Sequence, residues 1–425
     1  MNIQLLMTGN ELMSGVTVDS NSALIAQRLS PLGLVVHARS TVGDDLDLLI
    51  SELTRLSATA DVLIVNGGLG PTVDDLTAEA LAAAAGVPLT EHAEALSHVT
   101  AWLAARGVPL NAANRKQAIL PAGCELIANP VGSAVGFGLV LGECLVLCTP
   151  GVPSELKRML DDVIIPLLRT RFPAIDPVLE TRLHLFGIGE SSLQQQLSDA
   201  FPDWPKTLEL GFRAGLPTLE LKLRSQGEAS RALHHAWKQR VMDTVGDYVV
   251  AEGDSHIGQA FVALLSKGRF TVTTAESCTG GQMAALITAV PGASAVFEAG
   301  FVTYSNAMKT ELLGVDSMTL EKEGAVCESV VLQMAEGALA RTTADYAVAV
   351  SGIAGPGGGT ERKPAGTIWI AWGRRGRLQA RCLHIPLGRH HFQSWVAALG
   401  LDLIRREIMG IINEPRYFRD RQRKP

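Results

Sequence analysis

One recurring unit narrows the folds open to this chain: a short apolar run, a turn of glycine or hydroxyl residues, then a segment of helical period. Residues 3–7 are apolar and end in Thr8-Gly9, and a helical pattern follows over 22–32. Residues 34–39 read as a second strand, followed by a helix near 45–56, and the strand at 62–65 runs on into Gly67-Gly68. Alternating elements with continuously apolar, β-branched strands predict a parallel sheet with helices on both faces. A further strand at 144–148 stops at Thr149-Pro150-Gly151, and a helix over 154–168 closes the region.

The rhythm changes near residue 175. Residues 179–186 and 218–224 alternate polar and apolar side chains, Gly187-Ile188-Gly189-Glu190 opens a helix, and 228–245 is helical. That pattern predicts a small α+β module with no catalytic constellation, serving as a spacer or in dimerisation. The α/β rhythm resumes near Ser255. A helix runs to Lys267 with Gly268 as its stop, and strands follow at 270–274, 296–303 and 345–350. A hairpin comes next, at 367–372 and 378–385, and then a last helix over about 391–409. The expected organisation is therefore 1–170, 171–252, 253–412 and a basic tail, 413–425, read as solvated and frayed.

With 425 residues, two or three cores are expected. A net charge of −6 and the lack of a basic, aromatic groove argue against direct nucleic-acid binding. Six cysteines in a chain this long form no disulfide framework, and Cys144 and Cys148 lack the second pair a zinc site needs. The N-terminus lacks a basic segment and Glu11 interrupts its apolar run, so neither a signal peptide nor a membrane span is expected, and the cytoplasm is the expected compartment.

Chemistry concentrates in three late segments placed at strand ends. The first is Thr274-Ala275-Glu276-Ser277-Cys278-Thr279-Gly280-Gly281. The second is Thr303-Tyr304-Ser305-Asn306-Ala307-Met308-Lys309. The third is Ser351-Gly352-Ile353-Ala354-Gly355, continuing into Pro356 and three glycines. A hydroxyl between strand and helix, beside free backbone N–H groups, suits a phosphate or a developing oxyanion. Each segment alone is equally a capped turn. Together they hold a nucleophile, a lysine and ligand loops within one stretch, with Cys278 as a rival nucleophile.

The strings TAESCTGG, GFVTYSNAMK, VSGIAGPGGG and KPAGTIWIAW resemble the C-terminal domain of the CinA family, over about 261–404. The resemblance implies hydrolysis of the carboxamide of nicotinamide mononucleotide by a serine-type amidase that needs no cofactor. It implies Ser277 as nucleophile, with Lys309 and Tyr304 handling its proton. Thr279, Gly280, Gly281, Asn306, Ser351, Gly352, Gly355 and Arg389 then bind substrate. A lysine acting as base needs a depressed pKa. One departure stands out: the family's Gly-Asp-Arg element reads Leu387-Gly388-Arg389 here, and a downstream arginine appears as Gln393. A looser Arg389 is the expected consequence.

Near the N-terminus, Gly67-Gly68-Leu69-Gly70-Pro71-Thr72-Val73-Asp74-Asp75-Leu76-Thr77 follows a strand and opens a helix. Its glycines suit phosphate and its paired aspartates a bridging divalent ion. Residues 1–170 resemble the molybdopterin-binding-like (MoaB/MogA-type) three-layer α/β domain of the same family. That implies a phosphate-bearing ligand and, in some members, a metal-dependent ADP-ribose pyrophosphatase. The candidate ligand residues are Asn10, Glu11, Gly67, Gly68, Gly70, Thr72, Asn129 and Ser154, and the candidate metal ligands are Asp74, Asp75 and Glu155, for Mg or a similar ion. Fold likeness alone establishes neither chemistry. The expected partners are small nucleotides and a second copy of the chain as a homodimer. The rival readings are a nucleotide- or pterin-binding competence-linked protein with a weakened amidase, and an interaction protein in DNA uptake.

Overall fold

The structure, a computed structural model, describes residues 1–173 and 176–422. The chain divides into two compact units, Met1–Leu179 with Gln226–Glu228, and Glu180–Ser225 with Ala229 onward. The expected change of pattern near 175 falls partly outside the described residues, as does the end of the expected tail, 423–425.

The first unit contains strands β1 (Ile3–Thr8), β2 (Val36–Val42), β3 (Val62–Asn66), β4 (Leu89–Glu91), β5 (Ile119–Pro121), β6 (Glu125–Ile127), β7 (Gly136–Leu141) and β8 (Cys144–Thr149). Six of them form one sheet in the order β2-β1-β3-β8-β7-β6. The first four are parallel, as expected, but β7 is antiparallel to both its neighbours, β8 and β6. The departure from an all-parallel sheet comes from a tight hairpin: Leu141 faces Cys144, and Gly142 takes φ 64 in the two-residue turn. Short helices α1 (Asn10–Met13) and α6 (Ala112–Lys116) lie in the connections. One face packs on α2 (Asn21–Leu29), α7 (Pro153–Met159) and α8 (Ile165–Arg171), through Ile25, Leu156, Met159 and Leu168. The other packs on α3 (Leu46–Ser57), α4 (Thr77–Ala85) and α5 (Ala93–Ala104). Helix α3 shows the logic: Asp45 caps Leu48 N–H at its start, and Leu49, Leu53 and Leu56 recur at helical spacing on the buried face.

The second unit begins with a four-stranded sheet, β10-β11-β9-β12, built from β9 (Val178–Leu185), β10 (Glu209–Arg213), β11 (Leu219–Gln226) and β12 (Val249–Glu252). Helices α9 (Glu190–Ala200) and α10 (Arg231–Val245) cover it through Leu193, Leu197, Trp237 and Val241. The sequence pattern marked β9 and β11 but not β10 and β12, which are short and less regular in their alternation.

A five-stranded sheet follows, ordered β14-β13-β15-β16-β17: β13 (Val272–Glu276), β14 (Phe297–Val302), β15 (Tyr346–Gly352), β16 (Thr367–Arg374) and β17 (Arg377–His384). The first three are parallel, and the last two form the expected hairpin. On one face lie α11 (Ile257–Gly268), α12 (Gln282–Thr288) and α16 (Arg389–Ile408), meeting the sheet with Phe261, Met283, Val396 and Leu399. On the other lie α13 (Asn306–Leu313), α14 (Ser317–Glu323) and α15 (Glu328–Arg341). Helices α13 and α15 touch so closely that a Cβ on Gly337 would fall 1.9 Å from the Leu313 carbonyl oxygen. The chain leaves β13 for β14 on one side and returns to β15 on the other, so the C-terminal end of β13 is a topological switch point, where α/β sheets bind ligands. The same holds at β1, flanked by β2 and β3.

Two expectations are corrected here. Gly268 is still helical, and Arg269 takes the left-handed turn at φ 54. Glycine is required at 268 because the Phe270 ring lies 2.5 Å from where a Cβ would stand. The basic tail is not frayed over its described part: Arg416–Arg421 forms helix α17, and Tyr417 and Phe418 are buried in the core. Tyr417 donates its hydroxyl hydrogen to the buried Asp402 carboxylate at 2.8 Å and packs edge-on to Trp395. Aromatic burial outweighs the solvation of the flanking arginines.

Candidate active site

The C-terminal site is assembled by register. Glu276, the last residue of β13, pairs level with Val302 of β14 and Val350 of β15. Ser277, Thr303 and Ser351 therefore emerge side by side at the sheet edge. The Thr303 N–H donates to the Glu276 carbonyl at 2.9 Å, and the Ser277 N–H to the Val350 carbonyl at 3.1 Å, which fixes the three strand ends together.

Lys309, one turn into α13, reaches back under this edge and is only 1% exposed. Its Nζ lies 3.1 Å from Ser277 Oγ, 2.8 Å from the Thr303 carbonyl oxygen and 3.4 Å from the Tyr304 carbonyl oxygen. All three are neutral oxygens. Burial without a carboxylate penalises the ammonium, and the lysine pKa is pushed down from its ordinary value. As an ammonium Nζ donates to all three oxygens; once it loses a proton, two N–H hydrogens can remain on the carbonyls and the lone pair can accept the Ser277 hydroxyl hydrogen.

Glu276 is the residue that sequence reading passed over. Its fully buried carboxylate accepts from the Thr279 hydroxyl (2.7 Å) and from the N–H groups of Gly281 (3.0 Å), Met283 (3.1 Å) and Ala284 (2.9 Å). One side chain thus satisfies the donors of the turn after Ser277 and the start of α12. A carboxylate at the end of a buried strand, directly before a turn, was the available signal. The consequence corrects one expectation: Thr279 is 1% exposed with its hydroxyl committed to Glu276, so it shapes the turn instead of facing a ligand.

Tyr304 is also corrected. Its side chain is 60% exposed, and its hydroxyl accepts from Arg389 at 2.8 Å, not from Lys309 or Ser277. Only its backbone carbonyl approaches the lysine. Arg389 also donates to the Gly355 carbonyl at 3.0 Å, so it is gripped from two sides although Gly388 offers α16 no side-chain cap. Gly355 takes φ 73 to present that carbonyl, and Gly352 packs so tightly that a Cβ would meet Ile368 at 2.7 Å and Cys278 Sγ at 3.1 Å. Gly280 and Gly281 take left-handed conformations in the turn, at φ 64 and 97. Asn306 is exposed at the start of α13, and Ser351 is buried at the end of β15. Cys278 is buried, and desolvation pushes its thiol up to about 12. That shift disfavours the thiolate that a rival cysteine nucleophile would need.

The switch point at β1 opens into a cavity of about 370 Å³. Of the expected residues, Glu11, Gly67, Gly68, Gly70, Thr72, Asp74, Asp75 and Glu155 line it, with Thr8, Asp44, Gln117 and Ser133 added. Asn10, Asn129 and Ser154 do not line it. Asn10 instead exchanges hydrogen bonds with Asp44, and the buried Asn129 donates to the Ala134 carbonyl and the Glu155 carboxylate, both at 2.7 Å. The acids do not fit the expected metal. The Thr72 hydroxyl lies within hydrogen-bond distance of both Asp74 and Asp75 and can give its one hydrogen to either, and burial pushes the Glu155 carboxyl up, towards its neutral form. Among the described residues no three His, Cys, Asp or Glu side chains gather to hold an ion.

The profile of the CinA C-terminal domain matches residues 254–408, that of a probable molybdopterin-binding domain 4–170, and that of the damage-inducible protein CinA KH domain 180–251. A CinA-like protein of Colwellia psychrerythraea is 49% identical over 422 residues, covering 99% of this chain and 98% of that protein. The chain belongs to the CinA family. Another CinA-like protein, from Shewanella woodyi, is 40% identical with 96% of each chain covered. A Shewanella oneidensis relative named nicotinamide-nucleotide amidohydrolase PncC is 38% identical, again with 96% of each covered. The N-terminal unit of this CinA protein thus has the molybdopterin-binding type of α/β fold, and the module between the switch-point sheets is its KH domain. No helix among the described residues is long and apolar enough to cross a membrane.

Proposed function

We propose that the C-terminal unit hydrolyses the carboxamide of nicotinamide mononucleotide to nicotinic acid mononucleotide and ammonia. The observation that carries this reading is the buried lysine against the serine hydroxyl, with no carboxylate on it. Burial lowers the pH at which this lysine becomes a free base, and serine is the nucleophile that needs a base. The name of the Shewanella oneidensis relative supports the substrate.

In the first step Ser277 Oγ forms a bond to the carboxamide carbon as its proton passes to Lys309 Nζ. The carbonyl π electrons move onto oxygen, where backbone N–H groups of the turn after Ser277 stabilise the charge. When the C–N bond breaks, Lys309 returns the proton to the departing nitrogen, which leaves as ammonia. Water then attacks the acyl-serine with the lysine again as base, giving the carboxylic acid and free Ser277. Arg389, held by Gly355 and Tyr304 at the open side, is the group on hand for the substrate phosphate. No step uses a cofactor.

The test is ammonia release from nicotinamide mononucleotide by the full chain beside Ser277→Ala. Release that disappears in the variant supports the amidase. No release from folded wild type turns the case to the binding-protein alternative.

A separate observation favours a ligand in the N-terminal cavity: the side-chain oxygen of Gln117, which lines it, is buried without a partner. A phosphate-bearing small molecule offering a hydroxyl or amine donor would satisfy it. Metal-dependent cleavage of ADP-ribose does not form part of this reading. Calorimetric titration with ADP-ribose, compared with Gln117→Ala, tests it: heat of binding absent from both proteins removes it.

A further inference from the structure

We propose that Gln393 is a positioning residue for the amidase, which fixes the peptide after the nucleophile so that the Thr279 N–H serves the oxyanion. The proposal rests on the serine-amidase reading and adds to it the specific donor and the side chain that aims it.

Gln393 lies one turn into α16, on the helix that also carries Arg389. Its Nε2 donates to the Cys278 carbonyl oxygen at 3.0 Å. A peptide unit is planar and trans, so its C=O and N–H point in opposite directions. Holding the Cys278 carbonyl towards α16 therefore turns the Thr279 N–H away from α16. Three other donors of the turn, unlike the Cys278 N–H, are engaged. The Ser277 N–H goes to Val350, the Gly280 N–H to the Ser277 carbonyl at 3.1 Å, and the Gly281 N–H to Glu276. No group among the described residues accepts the Thr279 N–H. Its own side chain is locked by Glu276, so the backbone there has no freedom to swing. Two contacts, Gln393 on the Cys278 carbonyl and Glu276 on the Thr279 hydroxyl, fix the unpaired Thr279 N–H two residues beyond the nucleophile.

An arginine at this position would also present N–H donors to the Cys278 carbonyl. Glutamate, with no donor when ionised, should fail.

The test compares wild type with Gln393→Ala, Gln393→Glu and Gln393→Arg in the full chain. The first readout is ammonia release, separated into kcat and KM. The second is labelling of Ser277 by a simple alkyl fluorophosphonate, in which Oγ forms the bond to phosphorus, fluoride leaves and the serine proton passes to Lys309. That reaction also builds negative charge on the phosphoryl oxygen, and it needs no nicotinamide. Gln393→Ala and Gln393→Glu are expected to lose about ten- to a hundredfold in kcat and in labelling rate, with KM little changed. Gln393→Arg is expected to recover most of both. Equal labelling rates in all four proteins would overturn the proposal, as would a change confined to KM, since Gln393 would then be touching substrate. A wild type that labels in a Gln393-dependent way but releases no ammonia would refute the substrate and leave the positioning role standing. Loss of folding in the alanine variant would pass the decision to the arginine and glutamate variants, whose side chains fill the same space.

Discussion

The chain contains two switch points of the same kind, at the end of β1 and at the end of β13, and they hold their polar groups in opposite states. Around β1 the carboxylates that line the cavity are largely satisfied: Asp44 by Thr8 and Asn10, Asp75 by the Thr72 backbone and hydroxyl, Glu155 by Asn129. Around β13 the one buried carboxylate is also satisfied, by four donors, but the buried lysine is left with neutral oxygens only. A satisfied group is stable and unreactive, whereas a desolvated amine without a counter-ion gives up its proton more readily and is free base at lower pH than an exposed lysine. Similar backbone geometry therefore surrounds satisfied carboxylates at one end and a desolvated amine, the base of the proposed amidase, at the other.

The largest test of that contrast is Lys309→Met, which keeps the buried stem and removes the amine. Ammonia release is expected to fall about a thousandfold, in the range set by loss of a general base. The pH profile sharpens the point. A base acts in its unprotonated form, and the Lys309 pKa lies below its ordinary value. Activity should rise as pH climbs through that lowered pKa and level off before the range where an exposed lysine titrates. The rising limb should be absent from whatever activity the methionine variant retains. Activity within tenfold of wild type in Lys309→Met would collapse the distinction between the two sites.

Next in size is Glu276→Gln, in which an amide NH₂ would face N–H and O–H donors. Stability is expected to drop by about 2 kcal/mol, the scale of a hydrogen bond to a charged group, and kcat to fall with it as the turn loosens. Melting by calorimetry checks the first and steady-state kinetics the second. Asp74→Asn, at an exposed loop, should melt close to wild type. If the two variants melt alike, Glu276 is not organising the turn.

How much of this could be read from the residues follows from the range of the contacts. Ser277 and Lys309 were legible because each stands at a turn after an apolar run, and the parallel register makes those turns neighbours. The layered fold was legible for the same reason, except where the β7–β8 hairpin reversed part of the sheet. The partners were not legible. That Tyr304 turns to Arg389, 85 residues away, or that Gln393 reaches the Cys278 carbonyl, depends on where α16 starts over the sheet. Glu276 looked like one more residue of a motif, because nothing in its spacing says that four donors converge on it. At the other switch point, paired aspartates suggested a metal, but among the described residues no third ligating side chain gathers with them.

Tyr304→Phe is expected to have a smaller effect, in KM. Removing the hydroxyl frees Arg389 on one side while the Gly355 carbonyl still holds it, so KM should rise several-fold with kcat within about threefold, the pattern of a lost binding contact. A thousandfold fall in kcat would instead make the tyrosine a proton relay and break the assignment of Lys309 as sole base.

The smallest effect is expected at Cys278, and it bears most directly on which of two adjacent residues is the nucleophile. The thiol is pushed up to about 12, so at pH 8 only about one molecule in ten thousand carries thiolate. Its Sγ also packs towards Gly352, where there is no room for a bulkier neighbour. Cys278→Ala should therefore keep kcat within about twofold and lose roughly 1 kcal/mol of stability from the small void. Iodoacetamide at pH 8 should leave Cys278 unmodified in the native protein, read by peptide mass, while modifying it after unfolding. Rapid alkylation of the native thiol, with loss of ammonia release in step, would move the nucleophile one residue along. The neutral lysine would then be serving a sulfur, and the β13 switch point would have to be explained without Ser277.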